Sequence, residues 1–408
     1  MPGDYDAIVI GAGPAGCTAA ILLAQGGWSV ALVEKQPFPR RKVCGECIAA
    51  TNLPLLDALG VGEEFSRLAG PALRRVALMC ATRTVSAPLP ARRDSRHPWG
   101  RALGRESLDT LLLQRARTLG ACVLQPATAQ RLAGGPGAFR CEVSVAADGQ
   151  ELTLRAPVAI AAHGSWQPLP TERARWRAAR RASDLLAFKA NFSGVRLEEG
   201  VLPVLSLRGG YGGLVVADRG VATVACCIRE DRLAACRRAA PGQSAGAVVE
   251  SYLQQQCLGV RRALADASLL HPWIASGPVR PGVRLSAKSE GAFLVGNAAG
   301  EAHPIIGEGI SMAMQSAWLL CRQLLRFPDV LQPCAQARSR QREIHQQYAA
   351  QWRAQFQARM RLASLFGHLA MRPAIAARMF PLLQGLPGLL TQSARWSGKI
   401  RGLANPGV

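Results

Sequence analysis

Apolar residues along the chain follow two periods, and the points where the period changes mark its organisation. Residues 6–10 (DAIVI) form a short apolar, β-branched run of the kind that makes a buried parallel strand. They lead into Gly11-Ala-Gly13-Pro14-Ala15-Gly16, after which residues 17–25 read as a helix of small residues. Residues 29–33 form a second strand ending on Glu34. Farther on, residues 101–109 open a helix through Leu112, Leu113 and Ala116, and residues 291–309 read as a strand, a small-residue turn and a loop into a helix over 310–325. Between these segments, alternation over residues 73–90 and 185–229 predicts the strands of one antiparallel sheet. After residue 335 the spacing becomes helical, with Trp352, Phe356, Met360 and Ala363 three or four apart, interleaved with Arg353, Arg359 and Arg361. A second apolar stretch, 379–390, is broken by Pro381 and Pro387.

The expected fold class is α/β: a Rossmann-like dinucleotide domain with an inserted antiparallel β-sheet substrate domain and a helical C-terminal tail. The chain's 408 residues suffice for two or three lobes. The predicted boundaries are 1–72, 100–180 and 277–330 for the discontinuous nucleotide domain, 73–99 and 181–276 for the substrate domain, and 331–408 for the helical region.

The first unit carries its own chemistry. Gly11 permits the tight turn, Gly13 lets backbone approach a pyrophosphate, and Gly16 lets helix and strand pack closely. The helix N-terminus presents free N–H groups and partial positive charge to phosphates. Glu34 follows Gly11 by 23 residues, where a carboxylate can accept from adenosine ribose hydroxyls.

Composition narrows the class. With 49% hydrophobic and 19% charged residues the chain is globular. Its net charge of +22 invites a nucleic-acid reading, but no recognition-helix, RNP-like or zinc motif accompanies it, so no nucleic-acid partner is expected. The charge is lopsided: residues 334–408 hold ten Arg and one Lys against a single acid, Glu343. That tail is a candidate contact for an anionic membrane, where an apolar substrate would also be found. Among twelve cysteines only Cys44 and Cys47 form a C-x-x-C, and no second pair lies at zinc-finger spacing, so buried reduced thiols and no metal site are expected. Neither a signal-peptide pattern nor an apolar run of about 18 residues is present. The expected location is cytoplasmic, with peripheral membrane contact.

Together these segments resemble the class A-like flavoprotein monooxygenase superfamily, in the branch that includes geranylgeranyl reductases and flavin-dependent halogenases. The resemblance is carried by GAGPAG at 11–16, Glu34, RRKVCGE at 40–46, GRESLD at 104–109 and GNAAGEAHPIIGEGI at 296–310, and covers residues 4 to about 325. It implies FAD, held by Gly11, Gly13, Pro14, Ala15, Gly16, Glu34, Lys35, Cys44 and Arg105. At the ring end it implies Gly296, Asn297, Pro304, Gly307, Gly309 and Ile310, with the helix near Gly309 aiming its dipole at the flavin. Two positions depart from the family pattern. Asn297 stands where an Asp is usual, and His163, after the apolar run 158–162, replaces the Asp of the middle signature. No second strand-bounded G-x-G-x-x-G follows, so NAD(P)H, the expected electron donor, either docks transiently or acts through a partner.

Cys44, Glu46 and His303 are the candidate catalytic residues. Cys44 resembles a cysteine near the flavin in the reductases, where it donates a proton or shapes the pocket; a buried structural thiol is the equal alternative. Glu46, Glu308 and His303 are acid/base candidates, set against ordinary solvated or capping roles. The resemblance implies hydroxylation of an electron-rich aromatic or polyketide- or lipid-derived molecule by molecular oxygen, through a flavin hydroperoxide. Its alternative is reduction of isoprenoid C=C bonds. Residues 209–214 (GGYGGL) lack the Trp-x-Trp signature of halogenases, which argues against halogenation. Those glycines either leave room for a bulky substrate or form a plain turn between strands.

Overall fold

The computed structural model describes residues 3–92, 96–146, 149–165, 180–286, 291–332 and 334–396. At its centre lies a five-stranded parallel sheet in the order Phe293–Leu294, Val158–Ala161, Ala7–Ile10, Val30–Val33, Cys122–Leu124. All four residues of Ala7–Ile10 are buried, because both faces of the sheet are covered. Ala7 and Val9 pack toward the helices Pro14–Gln25, Arg105–Thr118 and Gly309–Leu324, whereas Ile8 and Ile10 pack toward a second layer. That layer is a three-stranded antiparallel sheet, Ala127–Gly135, Ala138–Val145 and Glu151–Ala156, which the sequence pattern did not single out.

The predicted β-rich stretches do join one sheet, of eight strands, but it is not wholly antiparallel. Arg75–Cys80 pairs in parallel with Val201–Leu207, with Arg75 opposite Val201 and Cys80 opposite Ser206. The pairing arises because the two strands come from separate insertions rather than from one hairpin. Helices Glu230–Ala239, Ala245–Gln256 and Leu258–Ala263 cover the outer face through Phe188, Ala190, Val224 and Cys226. Ala187, Tyr211 and Cys227 face the other way.

Residues 210–217 form a strand, not a turn. A Cβ at Gly210 would stand 2.6 Å from the Cys227 carbonyl oxygen, and one at Gly212 would stand 2.8 Å from that of Ala225. The close approach of the Val221–Arg229 strand accounts for glycine there.

The long helix Ala335–Ala370 carries the predicted stripe, and the stripe is core: Trp352 and Phe356 are buried against the nucleotide domain, with Met360 beside them. No helix among the described residues is long and apolar enough to cross a membrane.

Candidate active site

A cavity of about 940 Å³ runs between the parallel sheet and the eight-stranded sheet. One end is made by the first β-α-β unit. Gly11 has φ of +101°, and a Cβ there would meet the Ala162 carbonyl oxygen at 2.6 Å. Gly13 caps the Pro14–Gln25 helix, and the first atom a Cβ there would meet is Nη2 of Arg105 at 3.7 Å. Gly16 does not reach the cavity wall. A Cβ on it would stand 1.8 Å from the Gly11 carbonyl oxygen, so its task is packing beneath the turn.

Glu34 is buried and holds the turn. Its Oε2 accepts from the Ala12 N–H at 2.9 Å; its Oε1 accepts from the Gln36 N–H at 2.9 Å and from Arg40 Nη1 at 3.0 Å. A carboxylate offers about four acceptor sites, so one remains at Oε2. Arg105 lies on the wall with its guanidinium in a fork on Asp109, Nε to Oδ1 at 2.7 Å and Nη2 to Oδ2 at 2.6 Å. Lys35 and Lys42 line the same end. Burial, then the charges of Arg40 and Arg105, push the Lys42 ammonium down to about 8.

The 296–310 segment forms the middle of the wall. Gly296, at φ of +60°, donates its N–H to Ser316 Oγ at 2.7 Å, and a Cβ there would meet that of Ala15 at 2.9 Å. Gly307 adopts the left-handed conformation after the short Pro304–Ile306 helix, turning the chain into Gly309–Leu324. Asn297 Nδ2 donates to Ser165 Oγ at 3.0 Å. Gly309, Ile310, Pro304 and Asn297 all border the cavity, as does His163.

The three candidate catalytic residues all border the cavity, Cys44 and Glu46 beside Arg105 and His303 beside Tyr211, in different states. Glu46 is fully buried at φ of +57° and is neither solvated nor free. One carboxylate oxygen accepts from the Arg105 backbone N–H at 2.9 Å and pairs with Lys189 Nζ; the other accepts from Thr223 Oγ1. Thr223 in turn accepts from Asn191 Nδ2 at 2.9 Å. Glu46 therefore caps the Arg105–Thr118 helix from a distance and ties it to the sheet. Cys44 lines the cavity, and burial pushes its thiol up although Arg105 pulls it down, so it stays protonated at neutral pH. His303 is buried, with Nδ1 3.1 Å from the Tyr211 hydroxyl and its ring 5.6 Å from that of His368. Burial, then the His368 charge, push it down to about 4.

Lys189, Tyr211 and Thr223 were not among the expected site residues. Lys189 offered one signal, a lone lysine inside an apolar strand pattern. Tyr211 and Thr223 offered none beyond their alternation. Among the described residues no group of three His, Cys, Asp or Glu lies together as metal ligands would.

This arrangement suits FAD. An open glycine stands at a helix N-terminus, a buried carboxylate keeps a spare acceptor, and the wall is continuous from there to the start of a second helix. The chain matches the family model described as an FAD binding domain over residues 4–329. It is 27% identical over 325 residues to tryptophan 2-halogenase of Chondromyces crocatus, covering 78% of this chain and 60% of that protein. It is 24% identical over 335 residues to squalene monooxygenase SE1 of Panax ginseng, covering 80% and 59%. The chain thus spans about 60% of the length of these two relatives. The solved structure of the myxobacterial chondrochloren halogenase CndH superposes with a TM-score of 0.73 at 18% identity, covering 100% of this chain and 99% of that one, a likeness of fold.

Proposed function

The chain belongs to the FAD binding domain family and is an FAD-dependent oxidoreductase of the flavoprotein monooxygenase superfamily; from that premise we propose that it hydroxylates an electron-rich aromatic or polyketide- or lipid-derived small molecule, using molecular oxygen and electrons from NAD(P)H. One oxygen atom enters the product and the other leaves as water.

The observation that carries this reading is the far end of the cavity. Ala187, Pro203, Val204, Val279 and Ile305 make it apolar, and the His303–Tyr211 pair gives it a polar handle. Gly11, Gly13 and the start of the Pro14–Gln25 helix would hold the FAD pyrophosphate, Glu34 the ribose, and residues 296–310 the ring end. Bound FAD supplies two-electron transfer and, when reduced, activation of oxygen. The chain's own residues do the rest. The two sheets exclude water from the apolar end. The Glu46–Lys189 pair keeps the Arg105–Thr118 helix against the cavity. His303 stays neutral at pH 7, so one ring nitrogen can donate and the other accept, and with the Tyr211 hydroxyl 3.1 Å from Nδ1 the pair can exchange a hydrogen bond with a substrate oxygen.

A single turnover of reduced protein with substrate and isotopically heavy oxygen should place one labelled atom in the product. Cys44→Ala should keep most of this activity, since oxygen transfer requires no thiol proton. An unlabelled product carrying two added hydrogens under anaerobic conditions, lost in Cys44→Ala, would overturn the reading in favour of C=C reduction.

A further inference from the structure

Six of the nine large apolar side chains exposed among the described residues fall between residues 365 and 396: Leu365, Met379, Leu382, Leu386, Leu389 and Trp396. Helix Pro373–Gly385 explains why they are exposed. Its Ala376, Phe380 and Leu383 are buried against Cys80 and Val85 of the eight-stranded sheet. Met379, Leu382 and Leu386, at spacings of three and four, lie on the other side, with Leu382 52% and Leu386 56% exposed. The element is thus apolar on two faces and only one is covered. Trp396, 62% exposed, follows the next helix, Gly388–Ala394, and adds a further uncovered apolar side chain to this stretch. A monomer seldom leaves a grouped apolar surface of this kind to water.

The charge around the face identifies what covers it. Arg372, Arg378 and Arg395 are exposed on the same stretch of chain, and no acid occurs after Glu343. Exposed leucine, methionine and tryptophan interspersed with arginine and no acid is the composition of a segment that sinks its apolar side chains at the headgroup level and pairs its cations with anionic lipid. A second copy of this chain would bring an equally cationic rim against this one.

We propose that the uncovered face of residues 379–396 is a docking surface for an anionic lipid bilayer. The expected tail contact is thereby narrowed: the Trp352–Phe356 stripe is core, and the surface lies beyond it. The chain just before the face packs beside the apolar end of the cavity. Ala370 packs in one cluster with Tyr211 and Cys227, the Ala370 carbonyl oxygen accepts from Ser206 Oγ at 2.7 Å, and that of Met371 accepts from the Gly209 N–H at 3.0 Å. An apolar substrate, as proposed above, would collect in the same bilayer. Vesicle binding is measured without turnover, so the two proposals fail separately.

The test is co-sedimentation of the full flavin-loaded chain with vesicles of phosphatidylcholine alone and of phosphatidylcholine with phosphatidylglycerol. Binding should favour the acidic vesicles and weaken with added salt. The triple variant Leu382→Ser, Leu386→Ser, Trp396→Ser should lower the partition by at least about tenfold, and Arg372→Gln, Arg378→Gln, Arg395→Gln should remove the preference for acidic lipid. Both should keep the melting temperature and flavin content of the parent, because every altered side chain is exposed. Equal binding by the parent and the apolar variant overturns the proposal. So does dimerisation that depends on these side chains without vesicle binding, which would assign the face to a second copy.

Discussion

The two ends of the cavity are built from different material. At the nucleotide end the hydrogen bonds are short in sequence: Glu34 reaches back 22 residues to Ala12, forward two to Gln36 and forward six to Arg40. Toward the eight-stranded sheet the partners are far apart, with Glu46 paired to Lys189 across 143 residues and to Thr223 across 177, and Tyr211 to His303 across 92. The first end is mostly backbone, shaped by glycines, and is assembled as soon as one β-α-β unit folds. The second rests on side chains from distant strands and exists only once the sheet has docked on the helices. Binding of a common cofactor can therefore stay constant while the apolar end varies.

Breaking the turn itself should have the largest effect. In Gly16→Val the new Cβ meets the Gly11 carbonyl oxygen, a backbone atom that cannot step aside. We expect loss of bound flavin together with at least about 3 kcal/mol of stability, read by absorbance and thermal melting; a variant that stays yellow and melts with the parent would show that the helix can shift. At the other end, Lys189→Met strands the Glu46 carboxylate in a buried site, at a cost of about 3–5 kcal/mol. Pairing it with Glu46→Gln should recover part of that loss in urea denaturation. No recovery would mean that Lys189 acts through packing rather than charge.

His303 gives the comparison a pH dependence. Its folded value, about 4, lies below the ordinary 6.5, so the unfolded chain binds more protons between the two. Stability is then whole above about pH 6.5 and falls as pH drops toward 4, by up to about 3 kcal/mol. His345, pushed down by burial, acts in the same direction. His368 and Tyr211 face the His303 ring. The quantity to measure is therefore the difference between the parent and His303→Gln, whose stability should depend less on pH over this range. Parallel pH curves would show that His303 is not what titrates. The smallest effect should be Glu34→Ala, which weakens FAD binding by about one to two decades through loss of charge-assisted hydrogen bonds. Unchanged FAD affinity would show that this acid does not hold the ribose.

Much of the nucleotide end was legible because its determinants are local. The run at Ala7–Ile10, the turn after it and Glu34 are joined by backbone geometry that few other residues tolerate, and the helix at Gly309–Leu324 falls within a residue of its expected span.

What the sequence by itself determined is the first β-α-β unit, its glycine turn and the helical tail, each set by local periodicity and steric demand. Tertiary structure decided which apolar stripe is buried. Trp352 and Phe356 lie in the core, whereas Leu382 and Leu386 stay in water, although both sets show the same helical spacing. It also decided that Glu46 is tied to Lys189 and Thr223, and that His303 is neutral beside Tyr211. Spacing reports which face a residue shares with its neighbours along the chain; burial and charge state depend on what is packed against that face, and here the partners come from strands up to 177 residues away.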